Sequence, residues 1–230
     1  MTPTLPLLEQ VRRLLERTYG MDAGIDDLSR FVIGDRGLLL LYPDRGDGAD
    51  VVGAATAAGP RTLVRDTGLD VRVCVYYPDA MIDRLERNPP QRGLDDGNVD
   101  DFADLVEELD HLLLLGARVR SGRAVTLFEL EFHANVSKHL VLSRFLPGAR
   151  RRLADRHRIW LRHHLFLKHR FCDERLSVRR RYEDAARWAV RFVDRIARVR
   201  RERRLPVLRE FHRGSAPDKV ALVESLAAPR

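Results

Sequence analysis

Glu107, Glu108 and His111 stand together in the segment Leu105-Val106-Glu107-Glu108-Leu109-Asp110-His111-Leu112-Leu113. On a helix, residues four apart project from one face about one turn apart. Glu107 and His111 therefore form a pair, with Glu108 beside it. Two metal ligands one turn apart, plus a neighbouring carboxylate able to take a proton from water, is the layout that metal-assisted hydrolysis needs. Further on, Glu131, Asn135 and Lys138 follow at i, i+4 and i+7 and share one wedge of a second helix. Asn is a poor residue for a helix interior. Only three Asn and three Lys occur in the chain, so Asn135 and Lys138 are rare types at one place.

The segment resembles the zincin metallopeptidases, whose motif is His-Glu-x-x-His. The match here is Glu-Glu-x-x-His, with Glu107 where the family has its first histidine. The resemblance implies Glu108 as general base and His111 as second ligand. In the gluzincin branch the third ligand is a Glu on the next helix, roughly twenty residues on. Glu131 is twenty positions after His111, whereas Glu129 is accounted for by a capping box that starts at Thr126. Asn135 falls where such sites place a polar partner behind the ligands, and Lys138 or Asn135 would steady the site or polarise a substrate carbonyl. The similarity covers residues 1–140 at most. It implies a peptide or protein substrate and a divalent metal. With Glu107 in place of His, the set Glu107, His111 and Glu131 has two carboxylates and one imidazole. That set favours a harder ion, Mn or Fe, over Zn. The alternative within this reading is a derivative that has lost metal and activity.

Of the remaining histidines, His157 and His164 lie seven apart on one apolar stripe and point inward. His163 and His169 belong to the surface. His133 lies on another side of its helix from Glu131 and is not counted as a ligand.

A second feature competes for the functional reading. Residues 1–110 carry about −10 and residues 111–230 about +17, within a total of +7, and 38 of the 41 basic residues are arginine. The arginines gather at Arg150, Arg151, Arg152, Arg156 and Arg158, and along a helix from Arg179 to Arg204. Basic stripes of this kind bind phosphates and release counterions. A non-enzymatic adaptor that binds nucleic acid or an acidic partner is therefore the alternative function. Scarce Lys and Asn point to a GC-rich genome, which by itself inflates arginine. The acidic residues Asp100–Asp110 offer a partner for the stripe within the chain.

The elements that must position these residues follow from periodicity. Residues 5–18 read as a helix capped by Gly20. Two hairpins follow, Arg30–Ile33 with Leu38–Tyr42 and Thr62–Arg65 with Val71–Tyr77, joined by a loop over 45–60. Pro78–Arg87 is a short helix. Helices then run from Asn98 to about Ala117, from Thr126 to about Phe145, over 149–169 with a break at Pro147-Gly148 before it, and from Ser177 to about 204. The fold expected is α+β: an N-terminal helix and a small antiparallel sheet in residues 1–97, a mostly helical bundle over 98–205, and a frayed tail over 206–230. No apolar run is long enough to span a bilayer, and no cationic start precedes an apolar stretch, so the expected compartment is the cytoplasm. Cys74 and Cys172 lie too far apart in sequence to suggest a disulfide scaffold or a Cys-based zinc site.

Overall fold

The computed structural model describes residues 5–41, 59–66, 71–146, 154–168 and 176–227. The loop over 45–58, the turn at Thr67-Gly68, the break at Pro147-Gly148, Arg150, Arg151, Arg152, His169 and Cys172 lie outside them. The fold is α+β and mostly helical. The chain begins with helix α1 (Leu5–Tyr19), then strand β1 (Val32–Ile33), helix α2 (Asp35–Leu41), strands β2 (Arg61–Asp66) and β3 (Val71–Tyr76), and helix α3 (Asp79–Arg87). Two long helices follow, α4 (Val99–Arg120) and α5 (Leu127–Phe145). Helix α6 (Asp155–Arg162) continues into a π turn, His163–Leu167. Helices α7 (Leu176–Ile196), α8 (Arg201–Arg213) and α9 (Ala216–Ser225) complete the chain. Among the described residues, no helix is long and apolar enough to cross a membrane.

The sheet has the order β1-β3-β2. β2 and β3 form the expected antiparallel pair, with Thr62 opposite Val75. The other expected hairpin does not form. Val32 and Ile33 pair with β3 in parallel, so the sheet is mixed, and Asp35–Leu41 is a helix. The reason is tertiary. Asp35 accepts a hydrogen bond from the buried Tyr76 hydroxyl at 2.6 Å, and Leu38 packs against Tyr76. Gly34 permits this arrangement, since a Cβ there would lie 2.2 Å from Asp79 Oδ1.

Helix α4 lies at the centre. Val99, Phe102, Leu105, Val106, Leu109, Leu112 and Leu113 are all buried in one cluster. That cluster also takes Leu8, Val11 and Leu15 from α1, Phe132 and Val136 from α5, and Phe192 from α7. At Gly20, φ of 63° closes α1 and the Met21 amide bonds to the Glu16 carbonyl, as expected of a C-terminal glycine. Gly116 lets the loop after α1 cross α4, because a Cβ there would meet the Ala23 carbonyl oxygen at 2.6 Å.

Two boundaries differ at the C-terminal end. The helix expected to run from Ser177 to about 204 stops at Ile196. The Arg204 guanidinium binds the Ala197 and Val199 carbonyls across the break. The chain then turns so that α8 buries Val207, Leu208 and Phe211 in the common core. The described part of the segment expected to fray, residues 206–227, is therefore helical and packed rather than frayed. Ser215 and Asp218 form a reciprocal capping box at the start of α9, which buries Lys219 and Val223.

Candidate metal centre

Burial of α4 on nearly every side decides how its polar residues behave. Asp104, Glu107, Glu108 and His111 would suit water as one polar face, yet α5 packs over it. His111 is 8% exposed, and opposite it on α5 lie Glu131 at 6%, Asn135 at 6% and Lys138 at 9%. Each of Glu107, His111 and Glu131 offers a donor atom within 4.8 Å of the others. The three residues singled out as ligands in the sequence therefore converge.

Glu108 holds the imidazole from behind. Its Oε2 lies 3.6 Å from His111 Nδ1 and accepts a hydrogen bond from the Thr62 hydroxyl at 2.7 Å. Thr62 sits on β2, so the sheet edge fixes Glu108. With Nδ1 facing Glu108, His111 Nε2 is left buried without a hydrogen-bond partner, and so is Glu131 Oε2. Lys138 reaches across from α5 and its ammonium donates to Glu107 Oε2. Asn135 turns back onto its own helix, where Nδ2 donates to the Glu131 carbonyl at 2.8 Å. Tyr182 of α7 donates to the Glu131 carboxyl. Neither the Thr62 nor the Tyr182 contact is visible in local sequence pattern, because each comes from a distant element.

Four carboxyl groups, Asp104, Glu107, Glu108 and Glu131, gather here beside His111 and Lys138. Burial pushes the Glu131 carboxyl up to about 7, with the Glu107 charge adding to it, while His111 and Lys138 oppose the rise. Burial likewise raises Asp104 to about 7, helped by Glu107. Burial alone would lower His111, but Glu108, Glu107 and Glu131 overcome it and raise the imidazole to about 9. Carboxyl groups buried this close together take up protons or a cation.

This donor set fits a divalent ion. Two carboxylates and an imidazole converge, two of their atoms lack partners, and the imidazole is oriented from behind by a carboxylate, as is usual for a metal-bound histidine.

Sequence reasoning missed a second buried polar cluster that ties α4 and α5 to α8 and α9. His133 Nδ1 donates to Asp110 Oδ2 at 2.7 Å, and His212 Nδ1 lies 3.2 Å from His133 Nε2. Burial lowers His133, and it lowers His212 to about 2, so both stay neutral. Nearby, the Glu129 carboxylate accepts from Arg118 and from Lys219 Nζ, the latter at 2.9 Å. Thr126 caps Glu129 N as expected, but the Glu129 side chain leaves the capping box for these cations. His164 points inward as expected and is buried, but its ring bonds to the Asp100 and Asp96 carboxylates, at 3.3 and 3.1 Å, rather than to backbone carbonyls. The chain matches no family model, no curated protein and no solved structure, so the reading of the site stands on its geometry.

Proposed function

We propose that the protein binds one divalent metal ion through Glu107, His111 and Glu131. The observation that carries this reading is the pair of buried, unpartnered atoms, His111 Nε2 and Glu131 Oε2, converging with the Glu107 carboxylate. Two carboxylates and one imidazole suit Mn²⁺ or Fe²⁺ better than Zn²⁺. When bound, the ion supplies Lewis acidity and lowers the pKa of water, which is the chemistry of a hydrolase. The peptidase-like activity implied by the zincin resemblance rests on the motif positions of Glu108 and His111. In this geometry Glu108 Oε2 faces His111 Nδ1 and accepts from Thr62, so a proton taken from water would go to Oε1.

The test is metal content and affinity. Protein reconstituted with Mn²⁺ should hold about one ion per chain, and His111→Ala should abolish binding, because it removes one of the three ligands. Absence of Mn, Fe and Zn after reconstitution of folded protein would end the metal reading.

A second reading has its own observation. Among the described residues, the exposed side chains of Arg198, Arg200, Arg201 and Arg203 make no ion pair, at the elbow between α7 and α8. An unneutralised basic elbow supports binding to an anionic polymer such as nucleic acid, independently of any metal.

A further inference from the structure

Lys138 stands where a metal site has least use for it. Its ammonium is buried, binds the Glu107 carboxylate from the opposing helix, and lies close enough to Asp104 and Glu131 to feel both charges. Glu107 is one of the three ligand residues. A fixed ammonium and a divalent ion on the same carboxylate repel strongly at low dielectric. We infer that Lys138 is the internal occupant of this site: its ammonium neutralises Glu107 when no metal is bound and swings out to solvent when the metal enters. This inference rests on the metal reading above and adds that the bound ion is exchangeable rather than structural. The protein then has two charge-compensated forms, one closed by lysine and one closed by metal.

The geometry permits the exchange. Lys138 sits two turns beyond Glu131, and 11% of its side chain reaches the surface. A long, flexible stem can carry the ammonium from Glu107 to water without moving the helix. Asn135 keeps the helix carbonyl of Glu131 occupied throughout.

The chain contains only three lysines, which makes the exchange readable by chemistry. Lys168 has a side chain 41% exposed, and Lys219 is fully buried. Acetylation of native protein with N-hydroxysuccinimide acetate, followed by mass spectrometry, reports all three at once. With saturating Mn²⁺, Lys138 should become several-fold more reactive, while Lys168 stays reactive and Lys219 stays protected. In calorimetry, Lys138→Gln should bind Mn²⁺ about tenfold more tightly or better, because one competing positive charge is gone. Lys138→Arg keeps the charge and should show no such gain. If wild type binds Mn²⁺ but Lys138 reactivity does not rise and Lys138→Gln binds no tighter, the inference is overturned and the metal site survives. If neither folded protein binds Mn²⁺, Fe²⁺ or Zn²⁺, the metal reading itself fails and takes the inference with it. Should Lys138→Gln fail to fold, the acetylation result on wild type decides.

Discussion

Glu131, expected from the sequence as the third ligand, is perturbed by its surroundings well beyond an exposed carboxylate. Buried beneath α4 and faced by Glu107, it holds its proton up to about pH 7, against an ordinary value of 4.5. Between pH 4.5 and 7 the folded protein therefore binds more protons at this position than the unfolded chain. Metal-free stability falls as pH rises through that window, and the full penalty is present above pH 7. Glu131→Gln keeps the shape and removes the penalty. It should stabilise metal-free protein at pH 8 by up to about 3 kcal/mol and at pH 5 by much less. The same variant should lose the stabilisation that Mn²⁺ gives wild type. Urea unfolding at both pH values, in chelator and in Mn²⁺, measures this; an equal gain at pH 5 and pH 8 would show that Glu131 is not a strained carboxyl.

At the scale of elements, the α4–α5 pair is held to the C-terminal helices by a buried charge cluster: Arg118 on α4, Glu129 on α5 and Lys219 on α9, all under 5% exposed. Removing one partner from a buried set leaves charge uncompensated, at a cost of about 3–5 kcal/mol. Glu129→Ala strands two cations and should lower the urea midpoint accordingly; a drop under about 1 kcal/mol would mean that water reaches the cluster. Glu131 was reached through the zincin resemblance, whereas the Glu107–His111 pair was legible because it rests on helical spacing, a local property. The long helices were legible for the same reason. What escaped was tertiary. The Tyr76–Asp35 bond turns an expected strand into a helix, Thr62 reaches α4 across 46 positions, and His133 finds Asp110 and His212. The Ser215-x-x-Asp218 capping signal was present, but the arginine content around it suggested a solvated tail.

For the molecule as a whole, the charge asymmetry takes on a different meaning once partners are assigned. The sequence pairs the acidic stretch Asp100–Asp110 with the arginine stripe. In the fold its charges go elsewhere: Asp100 to Lys168 and His164, Asp101 to Arg84, Glu107 to Lys138, and Asp110 to His133. Part of the stripe is satisfied locally, with Arg179 near Glu183, Arg187 on Asp184, and Arg191 stacked over Trp188. Arg198, Arg200, Arg201 and Arg203 remain as a set of like charges at the α7–α8 elbow, open to water. Like charges without partners destabilise the fold slightly, and exposed substitutions shift stability by about 0.5 kcal/mol or less each. Replacing these four by Glu should therefore leave the melting temperature of the wild type nearly unchanged or raise it. The same change should remove whatever affinity the protein has for a polyanion. With duplex DNA, the slope of log affinity against log salt should flatten by roughly 0.9 for each phosphate that the arginines no longer neutralise. Melting curves and a salt series of DNA titrations separate the outcomes. A marked drop in melting temperature would restore an intramolecular partner for the stripe. An unchanged salt slope would place any polyanion binding away from the elbow.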